Sequence, residues 1–118
     1  MAEVRASHIL KKHAGSRRPA SWRCPNVTQS KEEAIAQIEA ITAQLKACAT
    51  PEEMYKLFGQ IASTESDCGS AQAGGDLGSF GRGAMQKAFE DATFATPVGQ
   101  LSGIVDSDSG IHVILRTA

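Results

Sequence analysis

The sequence "LSGIVDSDSGIHVILRT", residues 101–117, contains two short apolar segments on either side of a polar cluster. The cluster, residues 106–110, consists of Asp, Ser and Gly, which are residue types that favour turns. In the second segment the side chains alternate with the period of two that a strand imposes. One face carries Ile111, Val113 and Leu115, and the other carries His112 and Ile114. The stretch therefore predicts two strands joined by a tight turn.

A further strand is predicted at the opposite end of the chain, in "VRASHILKKH", residues 4–13. Alternating and β-branched apolar residues are typical of strands. The side chains that share one face are Val4, Ala6, His8, Leu10 and Lys12. Because this strand is remote in sequence from the C-terminal pair, we expect it to lie between or beside those two strands.

The segments between these strands predict three helices. Ser30 and Glu33 have the spacing of a capping box, which predicts a helix over residues 31–48. A threonine cap followed by proline at residues 50–51 begins a second helix, and residues 85–95 predict a short third one. An antiparallel sheet with helices packed against it is an α+β fold.

The remaining segments are predicted to be loops. One follows the first strand and is rich in Gly, Ser and Pro, and the other covers residues 63–83. The second contains "GGDLGSFGRG", residues 74–83, which matches neither a Walker loop nor a dinucleotide-binding fingerprint. We interpret its glycines as positions where the backbone needs positive φ or close approach. Direct phosphate binding is the alternative.

Length and composition are those of one globular domain. The chain has 118 residues, 42% of them hydrophobic, and a net charge of −1. No apolar run reaches the ~18 residues that a membrane span needs, and the charged N-terminus does not resemble a signal peptide. Cys24, Cys48 and Cys68 fit neither a disulfide framework nor a metal or redox pair. We therefore expect a cytoplasmic and nuclear protein with reduced thiols, no metal and no cofactor.

The basic residues are concentrated near the N-terminus. Lys12, Arg17 and Arg18 fall within seven residues of one another. Guanidinium groups form forked, charge-assisted bonds to phosphate, so this cluster is a candidate clamp for one phosphate; solvated surface charge is the alternative. Nucleic acid is a less favoured partner, because Trp22 is the only aromatic residue of the basic segment.

Two histidines and one cysteine are candidates for chemistry. His8 and His112 each lie inside a predicted strand of the same small sheet, so they could form a pair or be separate core residues. Cys68 lies in the polar segment "TESDCGSA" and could be a nucleophile or an ordinary small side chain. The histidines lack the spacing of metal ligands.

Four long motifs together resemble one known family. They are "ASHILKKHAGSRRPASW", "SDCGSA", "GGDLGSFGRGAMQKAFEDA" and "DSDSGIHVILRT". They resemble the parvulin family of peptidyl-prolyl cis/trans isomerases and, within it, the single-domain form of the phosphorylation-directed branch, without a WW module. The likeness extends over nearly the whole chain, from Val4 to Thr117.

The resemblance implies a fold, an activity and a setting. The fold is a single parvulin-type domain over residues 1–118, with residues 1–3 as a short tail. It has an FKBP-like, four-stranded antiparallel sheet wrapped by helices in β-α-α-α-β-β order, counting a short strand near the long loop. The implied activity is cis/trans isomerisation of phosphoserine-proline and phosphothreonine-proline bonds in proteins. A monomer that acts in cell signalling and cell-cycle regulation is expected.

The resemblance also implies residue roles. The catalytic set would be His8, Cys68, Ser109 and His112. The phosphate would bind Lys12, Arg17 and Arg18, and the proline ring would enter an apolar pocket of Leu77, Met85 and Phe89. Gln86 and Ser66 would line the same site. The glycine-rich segment would then shape the proline pocket. The phosphate would bind the loop that carries Lys12, Arg17 and Arg18 and continues past Trp22, called the basic loop below.

Several alternatives stay open at this point. Cys68 could attack the carbonyl carbon, or it could tune the pocket through hydrogen bonds with His8 and Ser109; we favour tuning, because isomerisation needs no acyl intermediate. A catalytically idle phosphopeptide-binding module would have the same clamp and pocket. A general folding catalyst for unphosphorylated chains would not need Arg17 and Arg18.

Overall fold

The computed structural model describes residues 3–118 of the chain as an antiparallel sheet with helices on both faces. The strands are β1 (Glu3–Lys11), β2 (Asp76–Gly81), β3 (Val105–Ser107) and β4 (Gly110–Arg116). The helices are α1 (Lys31–Lys46), α2 (Pro51–Glu65) and α3 (Lys87–Ala95), and a short 3-10 helix covers Gly69–Ala73. Within this range no helix is both long and apolar enough to cross a membrane.

The sheet has the strand order β2-β1-β4-β3, and every pair is antiparallel. β1 lies beside β4, with His8 opposite Ile114 and Leu10 opposite His112. The predicted α+β class with a four-stranded antiparallel sheet is confirmed. β2 is the strand expected near the long loop, and it enters the chain order between α2 and α3.

The alternation of side chains along the central strands creates two cores. One face of the sheet packs Ile9, Ile111 and Val113 against α1 and α2. The other packs Val4, Ala6 and Ile114 against Phe89 of α3 and Phe80 of β2. The faces predicted for the last strand are therefore confirmed, as is the shared face of Val4 and Ala6 in the first strand. The second face is the one that positions the candidate site.

The helix starts follow the local signals in the sequence. Ser30 accepts a hydrogen bond from the Glu33 amide while the Glu33 carboxylate accepts one from the Ser30 amide, which completes the predicted capping box. Thr50 caps α2 through the Glu53 amide. The C-terminal ends of the helices differ from prediction, since α1 ends at Lys46 and α2 continues to Glu65. In this sequence the C-terminal ends carry weaker signals than the N-terminal caps.

Two predicted boundaries at the N-terminal strand are wrong. Glu3 is not part of a tail, because it pairs with Gly81 as the first residue of β1; residues 1–2 of the expected tail lie outside the described residues. The strand also ends at Lys11 rather than at residue 13. Lys12 consequently belongs to the loop that follows, where its side chain is half-buried.

The prediction of a continuous loop over residues 63–83 is also wrong. The segment holds the end of α2, the 3-10 helix and β2. Its glycines weaken the local preference for a strand, but pairing with β1 supplies the missing stabilisation. Val4 lies opposite Phe80 in that pairing, and Phe80 is buried.

Gly75 explains why this segment needs glycine. Its φ is +87°, and a Cβ atom there would lie 2.5 Å from the carbonyl oxygen of His8. The backbone approaches β1 so closely that the Gly75 carbonyl accepts a hydrogen bond from the His8 amide at 3.0 Å. The interpretation of the glycines as positions of positive φ and close approach is therefore confirmed at this residue.

Candidate active site

A small, mostly apolar cavity of about 160 Å³ opens on the α3 side of the sheet. Its lining contains His8, Cys68, Leu77, Met85, Gln86, Phe89, Ser107, Ser109 and His112. Small-molecule and cofactor sites usually occupy about 300–1,000 Å³. A cavity of this size suits a single ring-sized group better than a whole cofactor.

The two histidines form the floor of the cavity as a contacting pair. His8 on β1 and His112 on β4 are stacked, with ring centroids 5.2 Å apart and Nδ1 atoms 3.0 Å apart. Phe89 of α3 presents an edge-on contact to each ring, at 5.3 and 5.1 Å. The structure thus decides in favour of a pair over two separate core histidines.

Burial keeps both imidazoles neutral. Loss of solvation lowers the pKa of His8 from 6.5 to about 4. Loss of solvation is also the larger cause of the shift at His112, and the adjacent His8 is the smaller one; together they lower the pKa of His112 to about 3. Both side chains are nearly inaccessible to solvent, so neither ring is charged at neutral pH. The cavity floor is therefore a surface of low polarity with two uncharged heterocycles.

Ser107 belongs to the site although sequence reasoning did not select it. Its Oγ lies 2.6 Å from Nε2 of His112 and accepts a hydrogen bond from the Ser109 amide at 3.2 Å. The predicted hairpin could have indicated Ser107, because a residue just before the turn lies opposite the start of the following strand. The structure shows this pairing, with Ser107 opposite Gly110. A hydroxyl at that position can reach a histidine two residues into the next strand.

Gln86 and Ser109 form the polar rim of the cavity. The Gln86 amide nitrogen donates to Ser109 Oγ at 2.9 Å, and its carbonyl oxygen accepts from the Asp108 amide at 3.1 Å. Gln86 therefore ties the segment before α3 to the turn between β3 and β4. This places both predicted residues in the cavity, in direct contact.

Cys68 lines the cavity but lacks the hydrogen bonds that were expected of it. Across residues 3–118, its thiol makes no bond to His8 or Ser109, and Ser109 is instead bonded to Gln86. The idea of tuning through those two hydrogen bonds is wrong. Any influence of the thiol on the cavity acts through its proximity.

The three residues predicted for an apolar pocket are brought together from different elements. Leu77 comes from β2, Met85 from the segment before α3, and Phe89 from α3. Leu77 and Met85 are partly exposed and pack against the buried Phe89. They form the apolar wall of the cavity.

Ser66 is not in this cavity, and the expectation that it lines the site is wrong. The side chain is completely buried. Its Oγ accepts a hydrogen bond from the Leu10 amide at 3.0 Å. The hydroxyl stabilises the end of β1, and a fully buried group cannot contact a substrate.

A second, cationic cavity of about 270 Å³ lies next to the first. It is lined by Lys12, Arg18, Ala20, Ser21, Trp22, Asp67 and Gly69. The Lys12 ammonium donates to the Ala20 carbonyl at 2.6 Å and retains two further donors. Arg18 is exposed, and no ion pair neutralises its guanidinium within residues 3–118.

Arg17 is close to this cationic cavity but does not line it. Its amide donates to the Asp108 carbonyl at 2.7 Å, and its side chain is exposed. The predicted trio is therefore divided: Lys12 and Arg18 share the cavity, and Arg17 is bonded through its backbone to the β3–β4 turn. In the described part of the chain, no group of three or more His, Cys, Asp or Glu side chains is arranged to hold a metal.

Comparison with known proteins gives a consistent answer. The family model of the PPIC-type PPIase domain matches residues 1–117. The putative peptidyl-prolyl cis-trans isomerase dodo of Drosophila melanogaster is 53% identical over 116 residues, which cover 98% of this chain and 66% of that protein. Peptidyl-prolyl cis-trans isomerase Pin1 of Arabidopsis thaliana is 50% identical over 120 residues, covering 98% and 96%.

Solved structures agree with these relatives. The solution structure of TbPIN1 has a TM-score of 0.83 at 41% identity and covers 98% of this chain and 97% of its own. Peptidyl-prolyl isomerase ESS1 from Candida albicans has a TM-score of 0.82 at 36% identity and covers 98% and 63%.

Proposed function

Because the chain belongs to the PPIC-type family and is a peptidyl-prolyl cis/trans isomerase, we propose that it acts on bonds between phosphoserine or phosphothreonine and proline. One observation carries this specificity: Asp67 lines the cationic cavity, and the next residue, Cys68, lines the apolar one. A phosphorylated residue that directly precedes proline also separates its two recognition groups by a single peptide unit. Such a substrate can occupy both cavities at once.

The reaction requires the substrate to be held on both sides of the prolyl bond, and it requires no covalent bond to form or break. Rotation about the prolyl peptide bond faces a barrier of ~18–20 kcal/mol that arises from amide resonance. An acceleration of about 10⁵ corresponds to roughly 7 kcal/mol. No covalent bond breaks, so the protein can act by holding the two ends of the bond while the amide twists.

Each cavity holds the substrate on one side of the rotating bond. Leu77, Met85 and Phe89 form the apolar wall for the proline ring. Lys12 and Arg18 offer charge-assisted bonds to a phosphate. Binding energy from the phosphate, which is remote from the rotating bond, is then available to lower the barrier.

The neutral histidine pair suits the twisted transition state. A twisted amide has lost resonance and is less polar than a planar one. With pKa values lowered to about 4 and about 3, His8 and His112 keep charge away from the amide at neutral pH. The cavity floor thereby disfavours the planar ground state relative to the transition state.

The decisive experiment compares one Ser-Pro peptide in phosphorylated and unphosphorylated form in a coupled cis/trans assay. A phosphoserine carries about −1.5 to −2 charge at pH 7, and each hydrogen bond to a charged group contributes ~1.5–3 kcal/mol. We expect kcat/KM to be ~10²–10³ higher for the phosphorylated peptide. Equal turnover would indicate a general folding catalyst, and tight binding without turnover would indicate a phosphopeptide reader.

The setting of this activity is part of the same proposal. A phosphorylation-directed isomerase would act on signalling and cell-cycle proteins in the cytoplasm and nucleus. Three free cysteines are compatible with a reducing compartment. Imaging of the tagged protein in its native cell tests the location, and light scattering at micromolar concentration tests the expected monomer.

A further inference from the structure

Residues 66–68 form a partition between the two cavities. Asp67 faces the cationic cavity and Cys68 faces the apolar one, whereas Ser66 is directed into the protein and is fully buried. Any change in the position of this tripeptide would alter the spacing between the two cavities. The contacts that hold it in place are therefore of functional interest.

Three hydrogen bonds join the partition to Leu10 of β1 and to Lys12, the first residue after that strand. The Leu10 amide donates to Ser66 Oγ at 3.0 Å, and the Asp67 amide donates to the Leu10 carbonyl at 2.7 Å. The Lys12 amide donates to Asp67 Oδ2 at 2.9 Å. Lys12, which offers its ammonium to the cationic cavity, is thus fixed to the partition through its own backbone.

The basic loop is bonded to the partition from the opposite side. Asp67 Oδ1 accepts a hydrogen bond from Ser21 Oγ at 2.9 Å and pairs with Arg23 Nη1 at 3.3 Å. The Trp22 indole N–H donates to the carbonyls of Ser66 and Cys68, at 2.9 and 3.2 Å. Asp67 is only 5% exposed, so both oxygens of a buried carboxylate are used to anchor the loop.

We propose that Asp67 and Trp22 are positioning residues that hold the cationic cavity at a fixed spacing from the apolar cavity. This inference rests on the proposed function, because it concerns substrates that occupy both cavities. Asp67 joins β1 to the basic loop, and the Trp22 indole N–H bridges the carbonyls of the two residues that flank Asp67, Ser66 and Cys68. Together they tie the surface loop to the sheet through the partition.

Rigidity at this point determines how phosphate binding is used. If the two cavities keep a fixed spacing, a bound phosphate resists movement while the prolyl bond rotates, and its binding energy lowers the barrier. If the spacing relaxes, the phosphate still binds, but the loop follows the substrate during rotation. Loss of the anchor should therefore lower kcat for the phosphorylated peptide more than it weakens binding.

This signature differs from that of a residue that contacts the phosphate directly. Removing a direct contact raises the dissociation constant of the phosphopeptide, because the bound state itself loses that interaction. Removing the anchor changes mainly the transition state. The two effects are separated by measuring kcat and the Kd of the phosphopeptide in the same variants.

The test uses Asp67→Asn and Trp22→Phe in the full chain. The first keeps the shape of the side chain but places an NH₂ group against a donor, and the second keeps an aromatic ring without its N–H. Ser102→Ala is the matched control. This substitution also removes a hydrogen bond between a side chain and a buried backbone amide, since Ser102 Oγ accepts one from the Ile114 amide at 2.9 Å. Ser102 lies outside both cavities.

For each anchor variant we expect kcat on the phosphorylated peptide to fall about tenfold or more, since displacements of about 1 Å can cost about 10²-fold. The Kd for the phosphopeptide should rise by no more than about threefold over wild type, since loss of the Asp67 charge does not weaken phosphate binding, and Ser102→Ala should retain both values. Should Asp67→Asn fail to fold, Ser21→Ala removes one bond to Asp67 and should show the same pattern more weakly.

The outcomes are distinguishable. Wild-type kcat in folded anchor variants, or a loss that appears in Kd alone, overturns this inference and leaves the proposed function intact. A wild-type protein that treats phosphorylated and unphosphorylated peptides alike overturns the proposed function and this inference with it. A tenfold loss in Ser102→Ala as well would reduce the effect to general destabilisation and also overturn the inference.

Discussion

The Nδ1 atoms of His8 and His112 lie 3.0 Å apart in the interior of the protein, so one ring must donate and the other accept. Among residues 3–118, His8 Nε2 is buried without a partner, whereas His112 Nε2 contacts Ser107 Oγ. A buried nitrogen without a partner costs less as an acceptor than as an N–H, because orphaned buried N–H groups are rare in native proteins. This assigns the Nδ1 proton to His8 and an Nε2 proton to His112, which donates to Ser107.

Removal of the Ser107 hydroxyl should expose this dependence. Ser107→Ala leaves the His112 Nε2–H without an acceptor, and an unpaired buried donor costs about 1–3 kcal/mol of stability. Ser107→Thr keeps the hydroxyl and should lose less. Urea unfolding measures both. Ser70→Ala is the control, since Ser70 Oγ is already buried without a partner in the described part of the chain, and an equal loss there would refute the assignment.

The stability of the protein should decrease in mild acid because of the histidine pair. The folded-state pKa values of His8 and His112, about 4 and about 3, lie below the unfolded value of 6.5. The unfolded chain therefore binds more protons as the pH falls from about 6.5 towards 4, and stability present above 6.5 is lost. Between pH 7 and pH 5 each histidine should account for about 2 kcal/mol.

Urea denaturation at the two pH values measures this effect. His8→Asn removes one titrating group while keeping a polar side chain, so about half of the acid loss should disappear. An unchanged pH dependence in this variant would mean that other groups cause the acid sensitivity.

Gly75 should be far less tolerant of alanine than Gly69. At Gly75 a methyl group would lie 2.5 Å from the His8 carbonyl oxygen at a φ of +87°, and strained backbone alone costs about 1–3 kcal/mol. At Gly69 a Cβ meets no heavy atom of the described residues within 4 Å. Thermal unfolding should show a large loss for Gly75→Ala and almost none for Gly69→Ala; similar values for both would contradict the close approach to β1.

The two arginines of the basic loop should contribute unequally to phosphopeptide selectivity. Arg18 lines the cationic cavity with Lys12, and Arg17 does not. Arg18→Ala should therefore lower the ratio of kcat/KM for phosphorylated over unphosphorylated peptide by about tenfold or more, and Arg17→Ala should lower it less. The double variant should abolish the preference and still isomerise a simple X-Pro peptide.

Lys46→Ala serves as the control for loss of positive charge, because Lys46 is exposed at the end of α1 and outside the cationic cavity. A preference that survives the double arginine variant would show that the phosphate binds elsewhere.

Cys68 provides a test of nucleophilic catalysis. Aspartate at this position removes the thiol but preserves a small polar group in the cavity, and isomerisation requires no acyl intermediate. We expect Cys68→Asp to retain measurable turnover in the coupled assay. Complete inactivity of folded Cys68→Asp, Cys68→Ser and Cys68→Ala would instead favour covalent attack on the carbonyl carbon.

Local sequence signals predicted the start of α1 and the central strand β4 well. The capping box of Ser30 and Glu33 fixes the start of α1, and the alternation around His112 fixes the faces of β4. β2 could not be predicted in the same way, because glycines interrupt its apolar pattern. Its strand conformation depends on pairing with β1, which is more than sixty residues away in sequence.

The candidate site was likewise predictable from the sequence only in part. The sequence by itself determined which chemistry is present, because the residue types of the site lie in motifs that can be read locally: two strand histidines, a loop cysteine, an apolar trio and a basic cluster. Only the tertiary structure decided which of them meet. It stacks His8 on His112, adds Ser107, removes Ser66 to the interior and separates Arg17 from Lys12 and Arg18. The physical reason is that strand register and loop anchoring are set by long-range hydrogen bonds and burial, which no local pattern encodes.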